Sequence, residues 1–97
     1  MKFNKKQFNE EQIKVINDTS RLERVFEDLM NIVSNEELNI IRKRSLMFKH
    51  LILFMQQRKQ DFLNVGIKKN IADSLVKNEI KTLELTTKEL NDVVSKN

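Results

Sequence analysis

Six cations and not one carboxylate lie between Glu37 and Asp61. Arg42, Lys43, Arg44, Lys49, Arg58 and Lys59 fall in this stretch, and the rest of the chain carries twelve basic against fourteen acidic residues. The formal charge of +4 on the 97 residues is therefore made in one segment. Guanidinium and ammonium groups gathered without neutralising neighbours can meet phosphates or acidic side chains. Among them lies Leu46–Met55, LMFKHLILFM, in which eight of ten residues are apolar. Apolar and basic groups in one run are the materials of a contact surface rather than of a reaction centre.

Other chemistry is thinly provided. His50 is the single histidine and cysteine is absent, so no typical zinc site can be assembled, and the carboxylates show no ligand spacing. His50 itself reads as a partly exposed helix residue. A nucleophilic triad needs a hydroxyl or thiol oriented by a histidine and an acid, and a phosphate loop needs glycines; neither is visible. The sequence predicts no catalytic residue, no metal and no cofactor. In length and helix number the chain is similar to the small dimeric all-helical chorismate mutases. Arg21, Arg24, Arg42, Lys43 and Arg44 would supply the positive groups such a site requires. The family's spaced Arg–Ile–Asp pattern near the start of its first helix is missing, so the likeness is one of size alone.

The elements that must position these residues are helical. One glycine and no proline leave too few turn residues for an all-β fold. A composition of 39% hydrophobic and 33% charged residues suits one folded domain, residues 1–97, rather than a disordered chain. No signal-peptide pattern is present, and the apolar block is far short of the roughly 20 residues of a membrane span. These features predict a cytoplasmic protein. Polar residues at both ends, 1–6 and 95–97, predict fraying.

Capping boxes with hydrophobic staples mark three helix starts: Asn9 with Gln12, Ser34 with Glu37, and Thr86 with Glu89, stapled by Phe8–Ile13, Val33–Leu38 and Leu85–Leu90. Ser20 with Glu23 has no apolar staple and is set aside. Gly66 suits a left-handed position ending a helix, with Ile67 folding back on Phe62. Helices are expected at about 9–33, 35–64, 67–83 and 87–96. A seam of Val76, Ile80, Leu83, Thr87, Leu90 and Val94 would also fit one unbroken helix from 67 to 95; the Thr86 box favours the break. Heptad seams run through Phe8, Val15, Leu22 and Leu29 in the first helix and through Ile41, Phe48, Met55 and Phe62 in the second. The short link between these two helices predicts an antiparallel hairpin. The expected fold is an all-α helical bundle built on that hairpin, with one or two C-terminal helices.

In the second helix Ile40, Ile41, Met47, Phe48, Leu51, Ile52, Phe54 and Met55 cover a wide arc, as in a central helix packed against two neighbours. Leu46 and Leu53, seven apart among polar residues, are left over and predict a second interface. The function expected is therefore a small non-enzymatic interaction module of inhibitor, chaperone or scaffold type. It self-associates as a homodimer or docks on an acidic partner protein, with Leu46 and Leu53 as anchors and Arg42, Lys43, Arg44 and Lys49 giving charge complementarity. The runner-up is a nucleic-acid-binding accessory protein gripping the phosphate backbone with the same face. That reading lacks a complete helix-turn-helix and any Tyr or Trp for stacking, and most of the Phe residues fall on expected core seams. An immunity-type protein is a further alternative on composition. A helix lying in a membrane interface is a minor one, because the apolar arc is needed for the core.

Overall fold

Four α-helices follow one another: α1 Glu10–Ile16, α2 Ser20–Val33, α3 Ile40–Asn64 and α4 Lys69–Ser95. The structure is a computed structural model and describes residues 7–95, excluding the side chains of 87 and 89–95. Expectations for residues 1–6 and 96–97, and for the side chains of Thr87, Glu89, Leu90 and Val94, lie outside the described residues. Helices α2, α3 and α4 pack on one another as an up-down-up bundle, and the short α1 lies against α3. The α2–α3 pair is the expected antiparallel hairpin: Arg21 meets Asp61 at one end, and Lys43 meets Val33 at the other.

Local chemistry explains the boundaries. At Asn9 the capping box is complete: its side chain accepts the Gln12 N–H at 2.8 Å, and the Gln12 side chain accepts the Asn9 N–H at 3.0 Å. The helix begun there ends after two turns, not at residue 33. Asp18 accepts the Ser20 backbone N–H at 3.0 Å, which offers the chain a non-helical turn. That bond also holds the exposed Asp18 carboxyl below its ordinary pKa range. The discounted Ser20–Glu23 site is thus where α2 starts, with Thr19 at the N-cap position.

Ser34 does not begin the next helix. Its hydroxyl turns back and donates to the Met30 carbonyl at 2.9 Å, finishing α2. Residues 34–39 form a longer link than the sequence predicts, and α3 starts where Asn39 accepts the Arg42 N–H at 2.8 Å. The Gly66 ending has the anticipated form. Gly66 takes φ +84°, the Ile67 N–H donates to the Phe62 carbonyl at 3.1 Å, and the Gly66 N–H donates to that of Leu63 at 3.0 Å. The expected break at Thr86 is absent. α4 runs through it, and the Thr86 hydroxyl bonds the Thr82 carbonyl one turn back, at 2.9 Å, instead of capping a new helix.

The interior has two apolar layers. Val25, Leu29, Phe54 and Leu83 form one, while Phe62, Ile67, Ala72, Leu75 and Val76 form the other, joined by Phe8, Val15 and Ile16 from the N-terminal end. Ile80 touches both. Phe62 and Leu29 are fully enclosed, each contributing about 2–3 kcal/mol of burial free energy. Between the layers sits Arg58, only 2% exposed. Its Nε meets both Glu79 carboxylate oxygens at 3.0–3.1 Å, its Nη2 donates to the Ile16 carbonyl at 3.0 Å, and its guanidinium lies 4.4 Å from the Phe62 ring centre. A buried cation satisfied this fully ties α1, α3 and α4 to one register.

Candidate partner interface

Among the described residues, α3 carries six of the eight exposed large apolar side chains, Met30 and Leu85 being the others. Ile40, Ile41, Phe48, Ile52, Leu53 and Met55 are all exposed, Ile41 to 77% and Phe48 to 65%. At 3.6 residues per turn, Ile41, Phe48, Ile52 and Met55 fall within about 60° of one another and form a stripe about 21 Å long. Phe54, Arg58 and Phe62 on the adjoining face are buried. The sequence assigned Ile41, Phe48 and Met55 to a core seam with Phe62; only Phe62 is inside. The same holds for much of the wide arc: Ile40, Ile41, Phe48, Ile52 and Met55 face outward. Two neighbouring helices cover only one side of α3, and among the described residues no element lies over the stripe.

The stripe runs into a groove between α3 and α4. Met55, Gln56 and Lys59 form one wall and Asp73, Val76, Lys77 and Ile80 the other, enclosing about 490 Å³ over a mostly apolar floor. Lys59 closes one end by pairing with Asp73 at 2.9 Å. Arg44 lies on one flank of the stripe, with Arg42 and Lys49 on the other. All three are exposed and make no ion pair among the described residues.

The residues singled out in the sequence divide between this face and others. Arg42, Arg44 and Lys49 flank the stripe. Lys43 is engaged within the chain: its ammonium donates to the Val33 carbonyl at 2.8 Å, satisfying the C-terminal end of α2. Leu46 is half-buried, and Leu53 is 46% exposed on a separate side of α3. Leu53 lines a polar groove against α2 together with Arg21, Arg24, Asp28, His50 and Gln57. The two leucines and the stripe are roughly a third of a turn apart on the helix and form no common surface. Ile41, Phe48, Ile52 and Met55 make the longer exposed apolar strip, on a different side of α3 from the exposed Leu53. Their signal was present in the sequence, as more apolar surface on one helix than two neighbours can cover.

The polar groove does not gather an anion site. Asp61 accepts from Arg21 through both carboxylate oxygens, and Gln57 accepts from the same guanidinium at 3.1 Å. The bond to Asp61 raises the Arg21 pKa above its ordinary value. Arg42, Lys43 and Arg44 sit at the far end of the hairpin, about 20–23 Å along α3 from Gln57, which Arg21 bonds. The five positive residues of the size comparison therefore never converge. His50 Nδ1 stands 3.7 Å from Asp28 Oδ2. Among the described residues no group of three or more His, Asp or Glu is placed to hold a metal, and no helix is long and apolar enough to cross a membrane. Comparisons with protein-family models, with curated proteins and with solved structures find no match to this chain.

Proposed function

We infer that the protein is a non-enzymatic interaction module and that α3 is its contact element. One observation carries this reading: an apolar stripe, Ile41, Phe48, Ile52 and Met55, interrupted by Ser45 between its first two members, stands exposed within the segment that contains six cations and no carboxylate. Ile41 and Phe48 stay mostly in water and Ile52 and Met55 are 37% and 42% exposed, so folding recovers only part of the roughly 1.5–3 kcal/mol that full burial of each would give. A partner surface recovers the rest, and the cations around the stripe select partners of opposite charge. Docking on another protein in this way suits an inhibitor, chaperone or scaffold.

Site-specific photocrosslinking tests the reading. A photoreactive phenylalanine analogue at Phe48 in cells of the native host should give discrete protein adducts, and the same analogue at exposed Asn78 on α4 should not. Absence of adducts at position 48 would remove α3 as the contact element. The alternative of phosphate-backbone binding draws on Arg42 and Lys49, which share a face. It requires duplex binding whose log K falls steeply with log[salt], by about 0.9 per neutralised phosphate.

A further inference from the structure

We propose that the occupant of this face is an amphipathic helix whose apolar seam is bordered by Asp and Glu, seated along α3 and in the α3/α4 groove as the fourth helix of the bundle. The proposal rests on the interaction reading above and names the partner's chemistry.

Shape selects a helix. The exposed side chains repeat at intervals of seven, four and three residues, the spacing a facing helix interdigitates with. The stripe is one side chain wide and continues into a channel walled by Val76 and Ile80 on α4. A single ridge of side chains fills such a channel, whereas a membrane surface needs a broad convex face. A nucleic-acid backbone would set phosphates against Phe48 and Ile52 and leave them without apolar contact.

Charge then selects the sequence of that helix. Arg44 lies to one side of the stripe and Arg42 with Lys49 to the other, and Lys77 stands on the α4 wall. Of the carboxylates nearby, Asp73 is already paired with Lys59, and Glu84 lies at the far end beside Ile40 and Arg44. Cations on both flanks call for acidic residues on both edges of the incoming seam. The same arrangement weighs against a second copy of this chain. A two-fold interface brings a patch against itself. About the centre of this stripe it would set Lys49 near its own equivalent, with no carboxylate from residues 38–60 of either copy to offset it.

Four probes test the assignment on the full chain. Two are 24-residue helical peptides with leucine at the heptad a and d positions, one with Glu and one with Lys at the flanking e and g positions. The other two are vesicles of 30% phosphatidylserine in phosphatidylcholine and a 20-base-pair duplex. The Glu-flanked peptide should bind at least tenfold more tightly than the Lys-flanked peptide, and more weakly as salt is raised. Phe48→Glu should lose at least tenfold in affinity. Ile41→Glu, at the most exposed position, should lose several-fold with helicity and Tm unchanged, so a folding defect at position 48 cannot mimic the result. Equal binding of the two peptides overturns the assignment, as does no binding of either, tighter binding of vesicles or duplex through Phe48, or a dimer that buries Phe48 in light scattering. If the crosslink at position 48 forms while the peptides fail, the occupant is wrong and the contact element stands. If neither is seen, both fall.

Discussion

At the scale of single residues, two arginine–carboxylate pairs among the described residues look alike on paper and differ in consequence. Arg21 and Asp61 meet where water reaches both, and such pairs contribute about 0–1 kcal/mol. Arg58 is enclosed between two apolar layers, with Glu79 as the one carboxylate it pairs with directly among the described residues and the Ile16 carbonyl as its third acceptor. Removing Glu79 strands a cation in the interior. Glu79→Ala should therefore destabilise by about 3–5 kcal/mol, against less than about 1 kcal/mol for Asp61→Ala, measured by urea unfolding. Equal losses would show that Arg58 finds water when its partner is gone. Arg58→Lys should not rescue the site, because an ammonium cannot span Glu79 and Ile16 as the guanidinium fork does.

At the scale of elements, the turn at Gly66 separates two costs that usually travel together. A Cβ built there would meet Gln12 Nε2 at 3.7 Å, ordinary contact, so space is available. The φ of +84° remains costly for any L side chain. Gly66→Ala should cost about 1–2 kcal/mol and lower Tm by several degrees, from backbone strain alone. A neutral outcome by thermal unfolding would mean that the turn relaxes to another form.

This turn was legible in the sequence because a lone glycine between Phe62 and Ile67 admits few other roles. Ser34 was misleading because the same hydroxyl that caps a helix start can bond a carbonyl one turn back, and Ser-x-x-Glu does not say which. Thr86 did the same inside α4. The long α3 was legible from its periodicity and its stop at Gly66. Which of its faces is covered was not, because a heptad seam records that something packs there and not whether that something belongs to the chain. Phe48 and Phe62 occupy one seam, yet one is exposed and the other has no exposure at all. The cations at 42, 44 and 49 flank the stripe, while Leu53 is exposed on another side of α3 and Leu46 is half-buried. Leucines among polar neighbours stand out in a sequence, whereas apolar residues on a heptad seam look like core whether or not the chain covers them.

At the scale of the whole molecule, the chain is a rod of 46 × 20 × 20 Å with a radius of gyration of 15.3 Å, against about 13 Å for a compact domain of this length. A rod offers a long flank, which suits side-by-side helix packing better than an end-on contact. Stability is unevenly spread along it. α1 has seven residues and none of them is buried. It is held by the Arg58 bond to Ile16, by Gln12 donating to the Val65 carbonyl at 3.1 Å, and by Val15 and Ile16 against the layer around Phe62. Its amides should exchange with solvent at least tenfold faster than those of α3 around Phe54 and Phe62, read by hydrogen exchange with mass spectrometry. Matching rates would mean that α1 opens only with the whole bundle.

The seating of α1 has a consequence for the order in which the chain is made. Its docking partners are Arg58, Val65 and the layer around Phe62 and Ile67, some fifty residues further along. A seven-residue helix does not hold itself together in water, being well under the roughly 12–15 residues at which isolated helices become even marginal. During synthesis α1 is translated ahead of every other described helix, yet nothing can receive it until α3 has left the ribosome and Gly66 has turned the chain. The earliest of these helices to be made has no place to go until α3 exists.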